Sequence, residues 1–246
     1  AKMGTVFEHA RIPMHKILQA VYLMACSKKG ISAHQLHRVL EVSYKAAWFL
    51  AHRIREAMRS GELSPFGGEG RTVEADETFI GGKQKNKHKS KRAPYRIGGS
   101  WGKETAFALV ERGGRVRSVH TPSVTAATLR PIIKQQIHPA TRLMTDDAGQ
   151  YRHMRRDFDH HVVNHSADEY VRGDAHTNTV ENYFSILKRG ITGVYQSVSK
   201  KHLKRYLGEF DFRYNHRKID DWARTAEALR GIEGKRVTYG GSASWS

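Results

Sequence analysis

The stretch His176-Thr-Asn-Thr-Val-Glu-Asn-Tyr-Phe-Ser-Ile-Leu-Lys-Arg-Gly190 decides how the rest of the chain is read. Val180, Phe184, Leu187 and Ile191 recur at the spacing of one apolar helix face. Asn178, Glu181, Ser185 and Lys188 share another face, so the helix presents an amide, a carboxylate and an ammonium group together. Upstream, Asp76 lies within Thr72-Val-Glu-Ala-Asp-Glu-Thr-Phe-Ile80 and Asp146 closes Leu143-Met-Thr-Asp146; both stretches read as strands. Three carboxylates from distant segments can therefore converge on one metal site. That is the equipment of phosphodiester chemistry, in which two divalent cations about 4 Å apart clamp the attacking and the leaving oxygen. Carboxylate oxygens suit Mg2+ or Mn2+. Lys188 can meet a phosphate as a point charge. Any one of these acids taken alone is more often a surface charge. Asp147 and Glu77 compete as ligands, and Glu74 shares the strand face of Asp76, so the cluster is better defined than its members.

The composition agrees with a polyanionic partner. The 246 residues carry a formal net charge of +18, which favours nucleic acid through counterion release. No apolar run approaches the length of a spanning helix and no signal peptide opens the sequence, so a membrane is not an expected partner. A single cysteine, Cys26, excludes a disulfide framework and a cysteine-rich zinc module within these residues, and fits a reducing cytoplasm. The fifteen histidines show neither H-E-x-x-H nor zinc-finger spacing.

Along the chain, residues 12–58 are patterned as three helices, with Pro13 at a first turn and Ser32 capping the second. On the third, Lys45, Trp48, His52, Arg55 and Arg59 form a stripe opposite the apolar face. A basic stripe on the last helix of a trihelical unit suits a helix-turn-helix reading DNA; the plainer alternative is a solvated face on an accessory bundle. Residues 60–70, rich in glycine with Pro65, read as a linker. Strands follow at 71–80, 105–111 and 115–121, the last two joined by Arg112-Gly-Gly114. After them come a helix at 126–137, a strand at 142–145, a short helical stretch at 149–157, a strand at 162–164 and the helix quoted first. The pattern predicts a mixed sheet flanked by helices. A basic helix at 200–215 and a Gly/Ser tail close the chain. Between the first two strands, Lys83, Lys85, Lys87, Lys89, Lys91 and Arg92 make a basic run that reads equally as a solvated loop and as a track for a phosphate backbone.

On these residues the chain resembles the ISXO-type bacterial insertion-sequence transposases. The matching segments are Gly30-Ile-Ser-Ala-His-Gln-Leu36, Val73-Glu-Ala-Asp-Glu-Thr-Phe-Ile-Gly-Gly-Lys83, Thr145-Asp-Asp-Ala-Gly-Gln-Tyr151, Asn164-His-Ser166, His176-Thr-Asn-Thr-Val-Glu181, Leu187-Lys-Arg-Gly-Ile191 and Phe210-Asp-Phe-Arg-Tyr-Asn-His-Arg217. They run in order over nearly the whole chain. The resemblance implies an α/β fold: an RNase H-like mixed sheet flanked by helices, preceded by a helix-turn-helix-type domain. It implies residues 1–66 as the DNA-binding domain, 67–235 as the catalytic domain and 236–246 as a flexible tail. It also implies that Asp76, Asp146 and Glu181 are the DDE acids holding two Mg2+ or Mn2+ ions, that Lys188 is their basic partner, and that the strands of Asp76 and Asp146 lie side by side. His165 and His176 fall in matched segments, where a site-lining and a structural role are equally open. Family members commonly carry a cysteine-rich zinc ribbon ahead of the helices; this sequence has no cysteines for one, so it is either truncated there or lacks it.

The function expected is that of a DDE transposase, binding double-stranded transposon ends and target DNA as a homodimer or larger assembly and acting in the bacterial cytoplasm at the nucleoid. Two alternatives are a domesticated DNA-binding protein without catalysis and an RNase H-like structure-specific nuclease.

Overall fold

The structure, a computed structural model, describes residues 2–61, 64–82, 86, 88–92, 101–163 and 176–237, with Lys91 described in its backbone alone. The chain forms two compact units, one of residues 1–61 with 189–246 and one of residues 62–188.

The unit of residues 62–188 is built on a five-stranded sheet in the order β3-β2-β1-β4-β5. The strands are β1 (Thr72–Ile80), β2 (Glu104–Glu111), β3 (Val116–Thr121), β4 (Arg142–Asp146) and β5 (Asp159–Val163). β1, β2 and β3 form an antiparallel meander, and β4 and β5 continue the sheet in parallel from the other edge of β1. A mixed sheet with flanking helices is what the pattern predicted. Alternation along β1 divides the faces. Val73 and Ala75 join Phe107, Leu109 and Leu143 under Leu129 and Ile133 of α4 (Ala126–Gln136) in one apolar core. Glu74, Asp76 and Thr78 point to the other face, where α5 (Asn178–Gly190) lies. Across the strand pair Asp76 is flanked by the small side chain of Ala108. Tyr183 of α5 reaches over it to donate to Ser118 of β3 at 3.1 Å. β5 begins three residues earlier than its sequence pattern suggests, and the short helical stretch resolves into two 3-10 turns, Gly149–Tyr151 and Met154–Arg156.

The other unit is helical: α1 (Met14–Cys26), α2 (Ala33–Leu40), α3 (Tyr44–Met58), α6 (Lys200–Asn215) and α7 (Asp221–Arg230). Ser32 and Ser43 cap α2 and α3 by accepting from Gln35 N–H and Ala46 N–H, so the predicted helix starts are the observed ones. Ile17, Met24, Leu36, Leu50 and Ile54 form its core together with Phe212 of α6 and Ala228 of α7. Contacts thus group the carboxy-terminal helices with the amino-terminal ones, whereas the division at residues 66 and 235 puts them with the sheet.

One expectation is corrected here. The stripe Lys45, His52, Arg55 and Arg59 does not face solvent as a whole, because α6 covers its middle. His52 is 1% exposed and Arg55 2%. His52 stacks among Trp48, His202 and Tyr206, and burial, with the nearby Arg55 charge, holds its imidazole neutral, down to about 2. Arg55 Nε donates to Glu209 Oε2 at 2.7 Å, and its guanidinium lies 4.1 Å from the Tyr206 ring centre. Glu209, wholly buried, also accepts from Tyr195 at 2.6 Å and from Arg213. Burial opposes its ionisation, yet Arg213 and Arg55 hold the carboxyl down, to about 2. Arg59 is half-buried and paired with Glu56, which leaves Lys45 as the exposed member. Two of the four basic residues assigned to DNA are therefore interior to the fold.

A buried arginine of this kind contributes to stability as one side of an ion pair. Arg55→Met should lower unfolding free energy by about 3 kcal/mol, since it strips one partner from a buried carboxylate; urea denaturation followed by circular dichroism measures this, and a change under about 0.5 kcal/mol, the usual size for a surface substitution, would contradict it.

Candidate active site

Glu74 fixes the geometry. It is fully buried in the central strand, a position tolerable for a carboxylate only when every lone pair is met. Its Oε2 accepts from the backbone N–H of Thr179 at 2.8 Å and of Val180 at 3.0 Å, the donors at the start of α5 that have no partner within the helix. Its Oε1 accepts from Thr179 Oγ1 at 2.9 Å and from Arg112 Nε at 2.7 Å, and His176 Nδ1 lies 3.3 Å from it. Arg112 also donates to the His176 carbonyl at 2.8 Å. A strand carboxylate thus caps a helix more than a hundred residues away in sequence, and the positive end of the helix dipole favours it there.

That cap sets where the three acids stand. Glu74 pairs with Met144 across the parallel β1–β4 ladder, and two residues further along the same strands come Asp76 and Asp146. Equal steps preserve the side-chain face, so both aspartates lie on the α5 side of the sheet. Glu181 sits in the first turn of α5, one residue beyond the capped amides of Thr179 and Val180. Asp76 is half-buried and accepts from Glu77 N–H at 2.7 Å. Burial pushes its carboxyl up to about 7, against that hydrogen bond, and the charges of Glu77, Asp146 and Glu181 push in the same direction. Asp76 and Asp146 thus share one face of neighbouring strands, with Glu181 at the start of the helix on that face. Asp146 accepts from Ala148 N–H at 3.2 Å, which turns the chain sharply after β4.

The competing acids separate by their partners. Glu77, on the other face of β1, accepts from Gln150 Nε2 at 2.8 Å and from Tyr151 OH, so it ties the strand to the 3-10 turn after Asp146. Asp147 is exposed. Glu181 is exposed and accepts from Thr177 Oγ1 at 2.9 Å. Among the described residues no three acidic, histidine or cysteine side chains are drawn together tightly enough to hold one ion in these rotamers. Lys188 is exposed, seven residues beyond Glu181 on α5. Lys89 and Arg92 are exposed beside the short 3-10 turn Lys89–Lys91; Lys83, Lys85, Lys87 and His165 lie outside the described residues.

The family described as ISXO2-like transposase domain matches residues 67–215, more than half of the chain. The chain belongs to that family. The matched span contains β1, β4 and α5 with all three acids. Its relatives come from mobile elements. The chain is 28% identical over 220 residues to an uncharacterized protein in transposable element ISH50 of Halobacterium salinarum, covering 85% of this chain and 72% of that protein. It is 29% identical over 106 residues to an uncharacterized transposase-like protein of Haemophilus influenzae, covering 43% of this chain and 85% of that one. A crystal structure of a pre-cleavage Mos1 transpososome matches over 87% of this chain and 74% of that chain at 14% identity, with a TM-score of 0.30 that carries no argument about the fold. The chain is an insertion-sequence transposase by family, and no helix among its described residues is long and apolar enough to cross a membrane.

Glu74 was weighed in the sequence as a ligand; its partners make it a positioning residue. Glu74→Gln should cost about 3 kcal/mol, because an amide cannot accept from two backbone N–H groups and pair with Arg112 at once; thermal or urea unfolding reads this. Asp76 gives a second test in metal-free protein. A carboxyl raised from 3.8 to about 7 weakens folding as pH rises through that window, and the cost is absent below it. Asp76→Asn should therefore gain about 2 kcal/mol over the parent at pH 8 and a shrinking amount toward pH 4. A gain independent of pH would sink this assignment.

Proposed function

We propose that this chain is a DDE transposase that binds transposon-end DNA and catalyses metal-dependent strand cleavage followed by strand transfer. The observation that supports the reading is that Asp76 and Asp146 lie on one face of paired strands, beneath the helix whose first turn carries Glu181, with burial and then the neighbouring acids opposing the ionisation of Asp76. Crowded carboxylates of this kind are expensive to keep charged, and a divalent cation removes the expense. Asp76, Asp146 and Glu181 would hold Mg2+ or Mn2+, two ions in all, with Glu181 leaving Thr177 to do so. Bound there, the ions supply Lewis-acid activation of the attacking oxygen and stabilisation of the leaving one.

The chain's own groups complete the reaction. The rigid β1–β4 pair fixes two ligands, and the Glu74 cap fixes the helix that carries the third. Lys188 would meet a non-bridging phosphate oxygen beside the scissile bond. In the first step water attacks the phosphodiester and leaves a 3′-hydroxyl on the transposon end; in the second that hydroxyl attacks a target phosphodiester, and the displaced target strand leaves with its own 3′-hydroxyl. We read the sheet unit as an RNase H-like core. The exposed Lys45, Lys89 and Arg92, with Arg59 and the run Lys83, Lys85, Lys87 and Lys91, are proposed to contact the DNA backbone, and two transposon ends held together call for a dimer or a larger assembly.

Incubation with transposon-end duplex and Mg2+ or Mn2+ tests this. Asp146→Ala should reduce cleavage and joining by at least a factor of about a thousand, while DNA affinity measured by anisotropy stays within about threefold, since removing an acid weakens no phosphate contact. Cleavage by the variant near the parent rate would overturn the site. Joining of a supplied 3′-hydroxyl end separates a transposase from a structure-specific nuclease, and absence of both steps in the parent would leave a DNA-binding protein.

A further inference from the structure

The helical unit contains a buried cation with unmet donors. Arg53 of α3 is 8% exposed, and its Nε and Nη1 have no hydrogen-bond partner among the described residues. Its guanidinium lies 4.7 Å from the centre of the Phe49 ring, a contact that satisfies the face of the group and none of its N–H donors. A guanidinium keeps its charge under all ordinary conditions, so the interior cannot neutralise it. Buried polar groups are almost always paired, and the exceptions call for an explanation.

Arg53 also lines a cavity of about 250 Å3, together with Thr5, Glu8, His9, Phe49 and Arg236. The cavity is built where two chain ends are bound to each other: Thr5 bridges Glu233, and Val6 N–H donates to the Ile232 carbonyl at 2.8 Å. Thr5 Oγ1 is already engaged, donating to the Lys2 carbonyl and accepting from Phe7 N–H. The one acid, Glu8, stands 3.5 Å from His9 Nε2. Two arginines against a single carboxylate leave the cavity electropositive. Its volume admits a tetrahedral oxyanion with its first waters or a short ester substituent.

We infer that this cavity is a binding site for a phosphate group, with Arg53 as the buried anchor and Arg236 at the exposed rim. The unmet donors of Arg53 would be satisfied by phosphate oxygens in charge-assisted hydrogen bonds, the strongest class available to them. The phosphate has two possible sources, a free inorganic phosphate or the backbone of bound DNA. The site is separate from the acid cluster, and its existence does not depend on the catalytic reading.

Thermal unfolding of the full chain in 20 mM inorganic phosphate, against chloride at equal ionic strength, tests the anchor. The parent should gain about 3 °C, as expected for a millimolar ligand of the folded state. Arg53→Met should lose that gain. Arg236→Glu, which alters only an exposed side chain, should lose it as well and covers the case in which Arg53→Met folds poorly. Anisotropy of a labelled duplex across a salt series assigns the source. A DNA phosphate makes the slope of log K against log salt shallower by about 0.9 in Arg53→Met; an unchanged slope with a lost phosphate gain assigns free phosphate. Equal phosphate gains in the parent and both variants, or no gain in the parent together with an unchanged slope, would overturn the site. Cleavage by Asp146→Ala reports on the acid cluster alone, so the two readings can fail separately.

Discussion

The sheet unit depends on one hydrogen-bonded junction, the Glu74 carboxylate against the first amides of α5. A helix that starts over a sheet leaves donors that water cannot reach, and a carboxylate in a strand interior leaves acceptors with the same difficulty. Each would be prohibitive alone. Together, with Arg112 supplying the balancing charge, they form a closed set and fix α5 in rotation and in height above β1. The placement of the acids follows, because Glu181 is one residue past the capped amides and Asp76 is two residues from the capping carboxylate.

The same principle operates in the helical unit with the roles reversed. There a buried carboxylate, Glu209, gathers Arg55, Arg213 and Tyr195 around itself, and the helices that contribute them are held in register by charge as well as by apolar packing. Both networks are costly to desolvate and costlier to break. They define one arrangement of helices more than they add to its stability, since apolar substitutes could fill the same volume.

Charge then divides the molecule by purpose. Structural carboxylates are saturated by arginine or by backbone N–H groups, whereas Asp76 feels other acids and only one backbone donor. Arg53 is the cationic counterpart, buried with its donors unmet. In a chain of net charge +18, Asp76 and Arg53 are two places where a ligand of opposite sign would meet an uncompensated group.

The sequence by itself determined the elements and the chemistry they carry. Strand-forming runs and the Arg112-Gly-Gly114 turn placed β1, β2 and β3, serine caps placed α2 and α3, and the helical stripe on 176–191 put Glu181, Ser185 and Lys188 on an outward face, because these signals are local and lie within a few residues of one another. Asp76, Asp146 and Glu181 were legible as a set for the same reason. What lay beyond it was pairing over distance. The stripe on α3 read as a solvent face because nothing near it in the chain announces that α6 covers it, and α7 gave too short an apolar pattern to be noticed. By alternation alone Glu74 and Asp76 are alike, two acids on one face of one strand, and the motif that carries the family resemblance singles out the second. Only the tertiary structure gave Glu74 its role, by landing a helix N-terminus on it, because that pairing joins residues more than a hundred positions apart.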